Sequence, residues 1–255
     1  MVVGKYIFTF ILGIIIGSFL NVCIYRIPRE ENVAYPPSHC PKCFNKLKWY
    51  DLIPIISYFK LKGRCRYCNE NIGVSYTIVE LTTGILFVFL SFKYDSLIEF
   101  FKFSTLICIL IVISIIDIKT MNVYFNVTVI SIILAIIFII IEFISKDNGI
   151  LYYLTYIYGG SLGFFVIALI VFLTNGMGWG DAEICLICGL FMGFKLTIVM
   201  MFFAFLFGAI IASILILLKK VKRKDYIPFG PFIALGCTFA IFFGKEILFW
   251  YLNVI

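Results

Sequence analysis

Residues 196–218 read LTIVMMFFAFLFGAIIASILILL and contain no Asp, Glu, Lys or Arg. As an α-helix this run spans about 35 Å, which exceeds the roughly 30 Å of hydrocarbon in a bilayer. Other charge-free runs cover residues 6–25, 120–141, 148–180 and 226–244. Their apolar residues are continuous and do not alternate with polar ones, which predicts membrane-spanning helices and not barrel strands.

The composition of the whole chain agrees with these runs. Of its 255 residues, 63% are hydrophobic and 14% are charged, and the net charge is +7. Soluble domains contain about 45–50% apolar and about 25% charged residues. The composition therefore excludes a soluble globular enzyme, a disordered chain and a basic nucleic-acid binder. We expect an all-α polytopic membrane protein that contacts the lipid bilayer and does not bind nucleic acid.

The hydropathy pattern predicts about eight transmembrane helices. They are placed at residues 6–25, 77–93, 98–117, 122–143, 151–173, 182–194, 197–218 and 230–252. The helix at 182–194 is short for a span, so seven spans are the alternative. The first helix is predicted to be retained and not cleaved as a signal peptide, because Lys5 is the only charge before it whereas Arg26 and Arg29 follow it.

The distribution of basic residues predicts the orientation. If the N-terminus lies outside, 15 of the 21 Lys and Arg residues fall on one face, nine of them in residues 26–76. The positive-inside rule assigns that face to the cytoplasm. The sequence thus divides into a first transmembrane helix at 1–25, a cytoplasmic loop domain at 26–76 and a membrane domain at 77–255.

Four cysteines of the loop domain have the spacing of a metal site. Cys40, Cys43, Cys65 and Cys68 form two C-x2-C pairs separated by 21 residues. Four thiolates at this spacing can surround one tetrahedral Zn²⁺, and a metal ion would help so small a loop to fold. A cytoplasmic location argues against disulfides, although free or disulfide-bonded cysteines remain the alternative.

Two aspartates lie at the ends of apolar segments. Asp117 follows the apolar run 103–116, and Asp181 follows the glycine-rich segment 176–180. The predicted topology places both at cytoplasmic helix ends. Two close carboxylates at low dielectric share one proton, so one can activate water while the other polarises a scissile carbonyl. The alternative is that Asp181 caps a helix and Asp117 is an ordinary interfacial residue.

A series of short motifs runs from about residue 10 to residue 240. They are GSFLNVCIYRIP at 17–28, SHCPKC at 38–43, IPIISY at 53–58, GRCRYC at 63–68, ELTTG at 80–84, GWGD at 178–181 and PFGPF at 228–232. In this order they resemble the type IV prepilin peptidases, a family of GxGD membrane aspartyl proteases that combine a leader peptidase with an N-methyltransferase.

The resemblance implies a location and two activities. Asp117 and Asp181 would cut the basic leader from prepilins or pseudopilins at the cytoplasmic face of the bacterial inner membrane. The new N-terminal residue would then be methylated with S-adenosylmethionine. In the family this activity is associated with the cytoplasmic loop domain at 26–76, here called the cysteine loop. Candidate residues for methyl transfer are Asn21, Arg26, Asn71 and Glu80. The competing hypothesis is a non-enzymatic, zinc-stapled membrane scaffold or transporter subunit.

The chain departs from the family pattern near both aspartates. Where the family usually has an acidic residue two positions after the first aspartate, this chain has Lys119. Val123, Tyr124 and Phe125 replace an Ile/Leu-Pro-Asp triplet, and Glu183 replaces a lysine after GxGD. Both carboxylates are retained, so we expect the reaction class to hold while the charge environment of the site differs.

Overall fold

The computed structural model describes residues 2–145, 149–174, 176–222 and 225–254, which are almost entirely helical. The helices are α1 (Val2–Arg26), α2 (Ile56–Lys60), α3 (Val74–Lys93), α4 (Leu97–Thr120), α5 (Phe125–Ser145), α6 (Ile150–Thr174), α7 (Trp179–Met192), α8 (Phe194–Leu217) and α9 (Gly230–Val254). Two 3₁₀ turns lie at Ile27–Arg29 and Trp49–Leu52. The predicted all-α class is confirmed, and each of the eight predicted helices is present.

Seven helices in the described part of the chain are long and apolar enough to cross a membrane. The exception among the eight predicted helices is α7, whose 14 residues rise only about 21 Å. Instead α7 is buried among its neighbours, and Ile184, Ile187 and Phe191 have no exposed surface. The structure therefore matches the alternative of seven spans plus one short core helix.

The chain divides into two compact units, Met1–Asp95 and Ser96–Ile255. In the first unit α1 packs along α3. A Cβ atom at Gly13 would lie 2.7 Å from the Gly84 Cα, and one at Gly17 would lie 2.8 Å from the Glu80 Cα. Small residues let two membrane helices approach closely, and this contact places the end of α1 beside Glu80.

Arg26 organises the backbone that follows α1. Its buried guanidinium donates hydrogen bonds to the carbonyls of Asn32 at 2.9 Å, Val33 at 3.0 Å and Pro36 at 2.6 Å. Charged donors to carbonyls make strong hydrogen bonds, so Arg26 fixes the path of the loop. The structure thus gives this methyl-transfer candidate three backbone partners.

In the second unit, glycines allow α6 to pack tightly on α7. A Cβ at Gly163 would lie 2.6 Å from the Cys185 carbonyl oxygen, and one at Gly159 would lie 2.6 Å from the Gly193 carbonyl carbon. Helix α8 packs along α9 in the same unit. The glycine contacts hold the middle and the C-terminal end of α7 against α6.

A buried ion pair joins three helices of the second unit. The Lys102 Nζ on α4 lies 3.0 Å from the Glu142 Oε2 on α5, and these residues are 2% and 1% exposed. The Tyr156 hydroxyl on α6 donates to the same oxygen at 2.8 Å, and the Tyr153 hydroxyl donates to the Glu142 carbonyl at 3.0 Å. The pair lies near the start of α4, whereas Asp117 lies near its end.

We expect Glu142→Gln to destabilise the protein by about 3–5 kcal/mol, because it leaves the buried Lys102 ammonium without its counter-charge. The double variant Lys102→Met/Glu142→Leu is expected to recover most of that loss, since it removes both charges. Thermal unfolding in detergent measures both effects. Asp95→Asn, which breaks an exposed contact to Lys5, is the control and should change little. An unchanged unfolding midpoint for Glu142→Gln would contradict this role.

Candidate active site

Asp117 lies in the last turn of α4 and is 6% exposed. Its Oδ2 accepts a hydrogen bond of 3.0 Å from the backbone N–H of Gly230, the first residue of α9. The N-terminus of a helix carries partial positive charge and favours a nearby carboxylate. Helix α9 therefore orients the Asp117 side chain.

Asp181 is the third residue of α7 and is 8% exposed. Its Oδ2 accepts the backbone N–H of Gly178 at 3.2 Å. This is a capping contact of the kind that the alternative interpretation of Asp181 predicts. It involves only one of the two carboxylate oxygens and fixes the side chain beside the start of α7.

The structure brings the two aspartates together, although they are separated by 64 positions in the sequence. Helix α4, which carries Asp117, contacts both α9 and α7, which carries Asp181. A Cβ atom at Gly230 would lie 2.7 Å from the Asp117 Oδ2 and 3.3 Å from the Ile184 Cδ1 of α7. Across the described ranges neither carboxylate forms a salt bridge with a Lys or Arg. Such a pair can hold one proton between an acid and a base.

The two glycines of the GWGD segment have different surroundings. A Cβ atom at Gly180 would clash with Cγ2 of Val123, which lies between α4 and α5, and would be 2.8 Å from its Cβ. At Gly178 the nearest atom, the Asp181 Oδ2, would be 3.8 Å away, and its φ of −82° suits any residue. Close packing therefore requires glycine at 180 and not at 178.

We expect Gly180→Ala to lower the leader cleavage that the sequence motifs imply by on the order of 100-fold, because displacing α7 by about 1 Å misplaces Asp181. Gly178→Ala adds the same methyl group where space exists and should retain most of the activity. Initial rates of leader cleavage by the two purified variants make the comparison. Equal losses in both variants would contradict this packing argument.

The residues that depart from the family pattern have defined positions. Glu183 on α7 accepts a 2.7 Å hydrogen bond from the hydroxyl of buried Thr128 on α5. Lys119 is exposed at the end of α4. The carbonyl of Tyr124 accepts the N–H groups of Val127 and Thr128, so α5 begins at Phe125 without a proline.

The four loop cysteines form one cluster. Their Sγ atoms all lie within 4.8 Å of one another, and the Cys40 and Cys68 sulfurs are 3.8 Å apart. Four thiolates at the usual Zn–S distance of about 2.3 Å around a tetrahedral ion are separated by about 3.8 Å. The donor set and its spacing therefore fit Zn²⁺, as the sequence predicts.

The two halves of the cluster repeat the same local structure. The N–H of Cys40 donates to the Asn45 carbonyl, and that of Cys65 donates to the Glu70 carbonyl. Phe44 and Asn69, four residues after the first cysteine of each half, have positive φ angles of 56° and 57°. Burial raises the pKa of the Cys65 thiol, but N–H groups of Cys68 and Tyr67 and the adjacent thiols outweigh it, so the pKa falls to about 7.

The first unit also contains a cavity of about 280 Å³ beside the cysteine cluster. All four residues predicted for methyl transfer line it: Asn21, Arg26, Asn71 and Glu80. Its wall also includes three tyrosines and two further acidic residues: Tyr25, Tyr58, Tyr76, Asp51 and Glu70. The Asn21 side chain donates to the Tyr76 carbonyl at 2.9 Å, so it holds α1 against the start of α3.

Comparisons with known proteins assign the family. The model described as "Bacterial Peptidase A24 N-terminal domain" matches residues 11–94, and the "Type IV leader peptidase family" model matches residues 104–213. A prepilin leader peptidase/N-methyltransferase of Bacillus subtilis is 30% identical over 247 residues, which cover 96% of this chain and 97% of that relative. This chain belongs to the prepilin leader peptidase family.

Other family members agree over nearly the full length. The prepilin leader peptidase/N-methyltransferase of Vibrio cholerae is 32% identical, with 91% of this chain and 94% of that protein covered. The one from Pseudomonas aeruginosa is 25% identical, with 96% and 92% covered. No solved structure matches the chain. The family resemblance seen in the sequence motifs is thereby confirmed.

Proposed function

We propose that this protein removes the leader peptide from prepilins or pseudopilins with Asp117 and Asp181 as the catalytic pair, and then methylates the new N-terminus. The observation that carries the peptidase proposal is the buried pair of carboxylates at the junction of α4, α7 and α9. The names of the relatives support the same two activities.

The chemistry follows from a pair that holds a single proton. The ionised aspartate accepts a proton from water, whose oxygen attacks the scissile carbonyl carbon. The protonated aspartate donates a hydrogen bond to the carbonyl oxygen and stabilises the charge that develops there. The first aspartate then returns its proton to the leaving amine, so each turnover restores the pair. Backbone N–H groups of Gly230 and Gly178 keep the two side chains oriented.

The orientation is a further part of the proposal. The excess of Lys and Arg in residues 26–76 and 219–229 favours a cytoplasmic location for the cysteine loop and both aspartates, in a bacterial inner membrane. We propose that residues 1–25 anchor the chain in the membrane, that residues 26–76 form the metal-binding loop and that residues 77–255 carry out peptide cleavage.

We assign a structural Zn²⁺ to Cys40, Cys43, Cys65 and Cys68. The four sulfurs lie within 4.8 Å of one another, and both halves of the site share one backbone geometry. A zinc ion held by four thiolates has no open position for substrate, so its contribution is to the folding of the loop. The same loop forms part of the cavity wall, because Cys40 and Cys65 line it.

We assign the S-adenosylmethionine site to this cavity. Its volume is close to the lower end of the range for small-ligand pockets. Tyrosine rings can stack on an adenine, and their faces attract the positive charge of the sulfonium group. The donor supplies an electrophilic methyl group, and the chain supplies the pocket that orients it.

The peptidase proposal is tested by expression in cells that lack their own prepilin peptidase, together with a prepilin. We expect leader-free pilin on immunoblots when the wild-type chain is present. The scaffold hypothesis predicts that the prepilin stays uncleaved while the chain is inserted in the membrane, and that result would contradict the proposal.

A further inference from the structure

We propose that Glu80 is the general base for methyl transfer, accepting the proton that the substrate's new N-terminal ammonium must lose. The inference rests on the proposed N-methyltransferase function and names a catalytic residue within it. It is carried by the cavity of the first unit and by the different partners of the carboxylates that line it.

Two of the cavity carboxylates form ion pairs with basic side chains. Asp51 accepts hydrogen bonds from Arg66, with Nε at 3.0 Å from Oδ1, and this contact holds the pKa of Asp51 below its usual range. Glu70 lies 3.5 Å from the Lys42 ammonium. Within the described ranges, Glu80 is the cavity carboxylate that forms no ion pair. It is therefore the one whose charge remains to attract a substrate ammonium.

The Glu80 side chain is held at a fixed position near the start of α3. It is 8% exposed, its Oε2 accepts the Ile55 N–H at 2.8 Å, and it also hydrogen-bonds to Ser18. A carboxylate has about four acceptor sites, so these bonds leave capacity for an ammonium donor. The packing of Gly17 against the Glu80 backbone fixes the base of the side chain.

The donor of one of these bonds lies on an unusual turn. Ile55 has φ 62° and ψ −54°, and the Ile56 N–H donates to the Pro54 carbonyl, so residues 54–56 form a γ-turn with positive φ. This conformation is rare and strained for a β-branched residue, and such strain concentrates at functional sites. Here it aims the Ile55 N–H at Glu80 and so orients the carboxylate.

Glu80, the substrate amine and the methyl donor together account for every proton and bond in the transfer. An α-amino group has a pKa of about 8, so near neutral pH most of the substrate amine is protonated and has no lone pair. Glu80 accepts one proton from this ammonium. The freed lone pair forms a bond to the methyl carbon of the donor, whose C–S bond breaks with its electron pair on sulfur. The methylated amine then releases its second proton or remains charged, and Glu80 returns its own proton to water.

Other titratable groups face the same cavity and bear on its pH dependence. They are Arg26 and Tyr25 from α1, His39, Cys40, Cys65, Arg66 and Glu70 from the cysteine loop, Asp51 from the 3₁₀ turn, Tyr58 from α2 and Tyr76 from α3. Arg26 is bound to three carbonyls, and Arg66 is paired with Asp51. Arg26 and Arg66 therefore do not compete with the substrate amine for Glu80.

The deciding experiment uses the full-length chain in detergent with leader-free pilin as methyl acceptor. Glu80→Gln keeps a carbonyl oxygen for the Ile55 N–H but cannot take up a proton. We expect methylation at pH 7 to fall by at least about 100-fold. The variant's rate should then rise about tenfold per pH unit up to about pH 8, where the amine deprotonates without help. Glu80→Asp should keep the wild-type pH profile at a reduced rate.

Two further measurements distinguish a catalytic role of Glu80 from a purely structural one. Calorimetric binding of S-adenosylmethionine, and the rate of leader cleavage, should each stay within about twofold of wild type in Glu80→Gln. Glu31→Gln removes an exposed carboxylate of the same unit that does not line the cavity, and it should behave as wild type throughout. A Glu80→Gln pH profile parallel to wild type, or lost donor binding in that variant, would overturn the assignment of Glu80. A wild-type chain that neither binds the donor nor methylates would instead overturn the methyltransferase function on which the assignment rests.

Discussion

Asp117→Asn and Asp181→Asn are each expected to lower leader cleavage by on the order of 10⁴-fold. The two carboxylates act as one unit, because the reaction needs a base and an acid that exchange one proton. An amide cannot accept the proton of the attacking water, and its weakly acidic N–H stabilises the charge on the carbonyl oxygen less than a carboxylic acid does. Either substitution therefore removes the mechanism, and the double variant should be no worse than either single variant.

The structure indicates why Asn should spare the fold at these positions. Its side-chain oxygen can still accept the Gly230 or Gly178 N–H, so the orienting hydrogen bonds are preserved. Asp225→Asn is the matched control, since Asp225 is exposed and caps the N–H of Lys222 in a loop. Cleavage time courses with equal amounts of folded protein make the measurement. Near-normal cleavage by either Asn variant of the pair would contradict its catalytic role.

Loss of the zinc site is expected to have the second large effect. Binding of a structural zinc contributes about 10–16 kcal/mol in small peptide domains, far more than a loop of this size gains from its own core. Cys40→Ser removes a buried ligand of the cluster. We expect the metal content to fall from one zinc per chain towards zero, and methylation to fall by at least about 100-fold as the cavity wall unfolds.

Leader cleavage should respond less to this change, because Asp117 and Asp181 both belong to the second compact unit. Cys23→Ser is the control, as Cys23 lies on α1 outside the cluster. Elemental analysis of each purified variant gives its zinc content, and assays of methylation and of leader cleavage give its two activities. A full zinc content in Cys40→Ser would exclude the four-thiolate site, and unchanged methylation in a zinc-free variant would separate the metal from the methyl-transfer cavity.

The helices were predictable because one physical requirement controls them. A segment in hydrocarbon must satisfy its own backbone, so a charge-free run such as 196–218 becomes a helix of membrane length, as α8 shows. The rule does not predict the position of the short α7. Its burial depends on glycines of α6, such as Gly163, that allow the two helices to pack closely, and the hydropathy of α7 itself does not indicate this contact.

The cysteine cluster and the two aspartates were predictable to the extent that the spacing of residues in the sequence determines where their side chains lie. Two C-x2-C pairs predict a four-sulfur cluster because each pair makes one tight turn, which the structure contains twice. The depths of Asp117 and Asp181 followed from helix ends, but that they lie on neighbouring helices required knowing that α4 packs against α7.

The Lys102–Glu142 pair was not found from the sequence, where both residues read as charges near helix ends. The signal available was that they lie at similar distances before and after the turn joining α4 to α5, which places them at one depth in an antiparallel pair. The γ-turn at Ile55, which orients Glu80, has no sequence signal at all, because a β-branched residue disfavours that conformation.

The most direct test of the central claim is mass spectrometry of a prepilin reconstituted in vesicles with the purified chain and S-adenosylmethionine. We expect a pilin that has lost its leader and gained one methyl group on its new N-terminus, and an intact prepilin when Asp117→Asn or Asp181→Asn replaces the wild type. An intact prepilin with the wild-type chain, under conditions in which another prepilin leader peptidase cleaves it fully, would contradict the proposed activity.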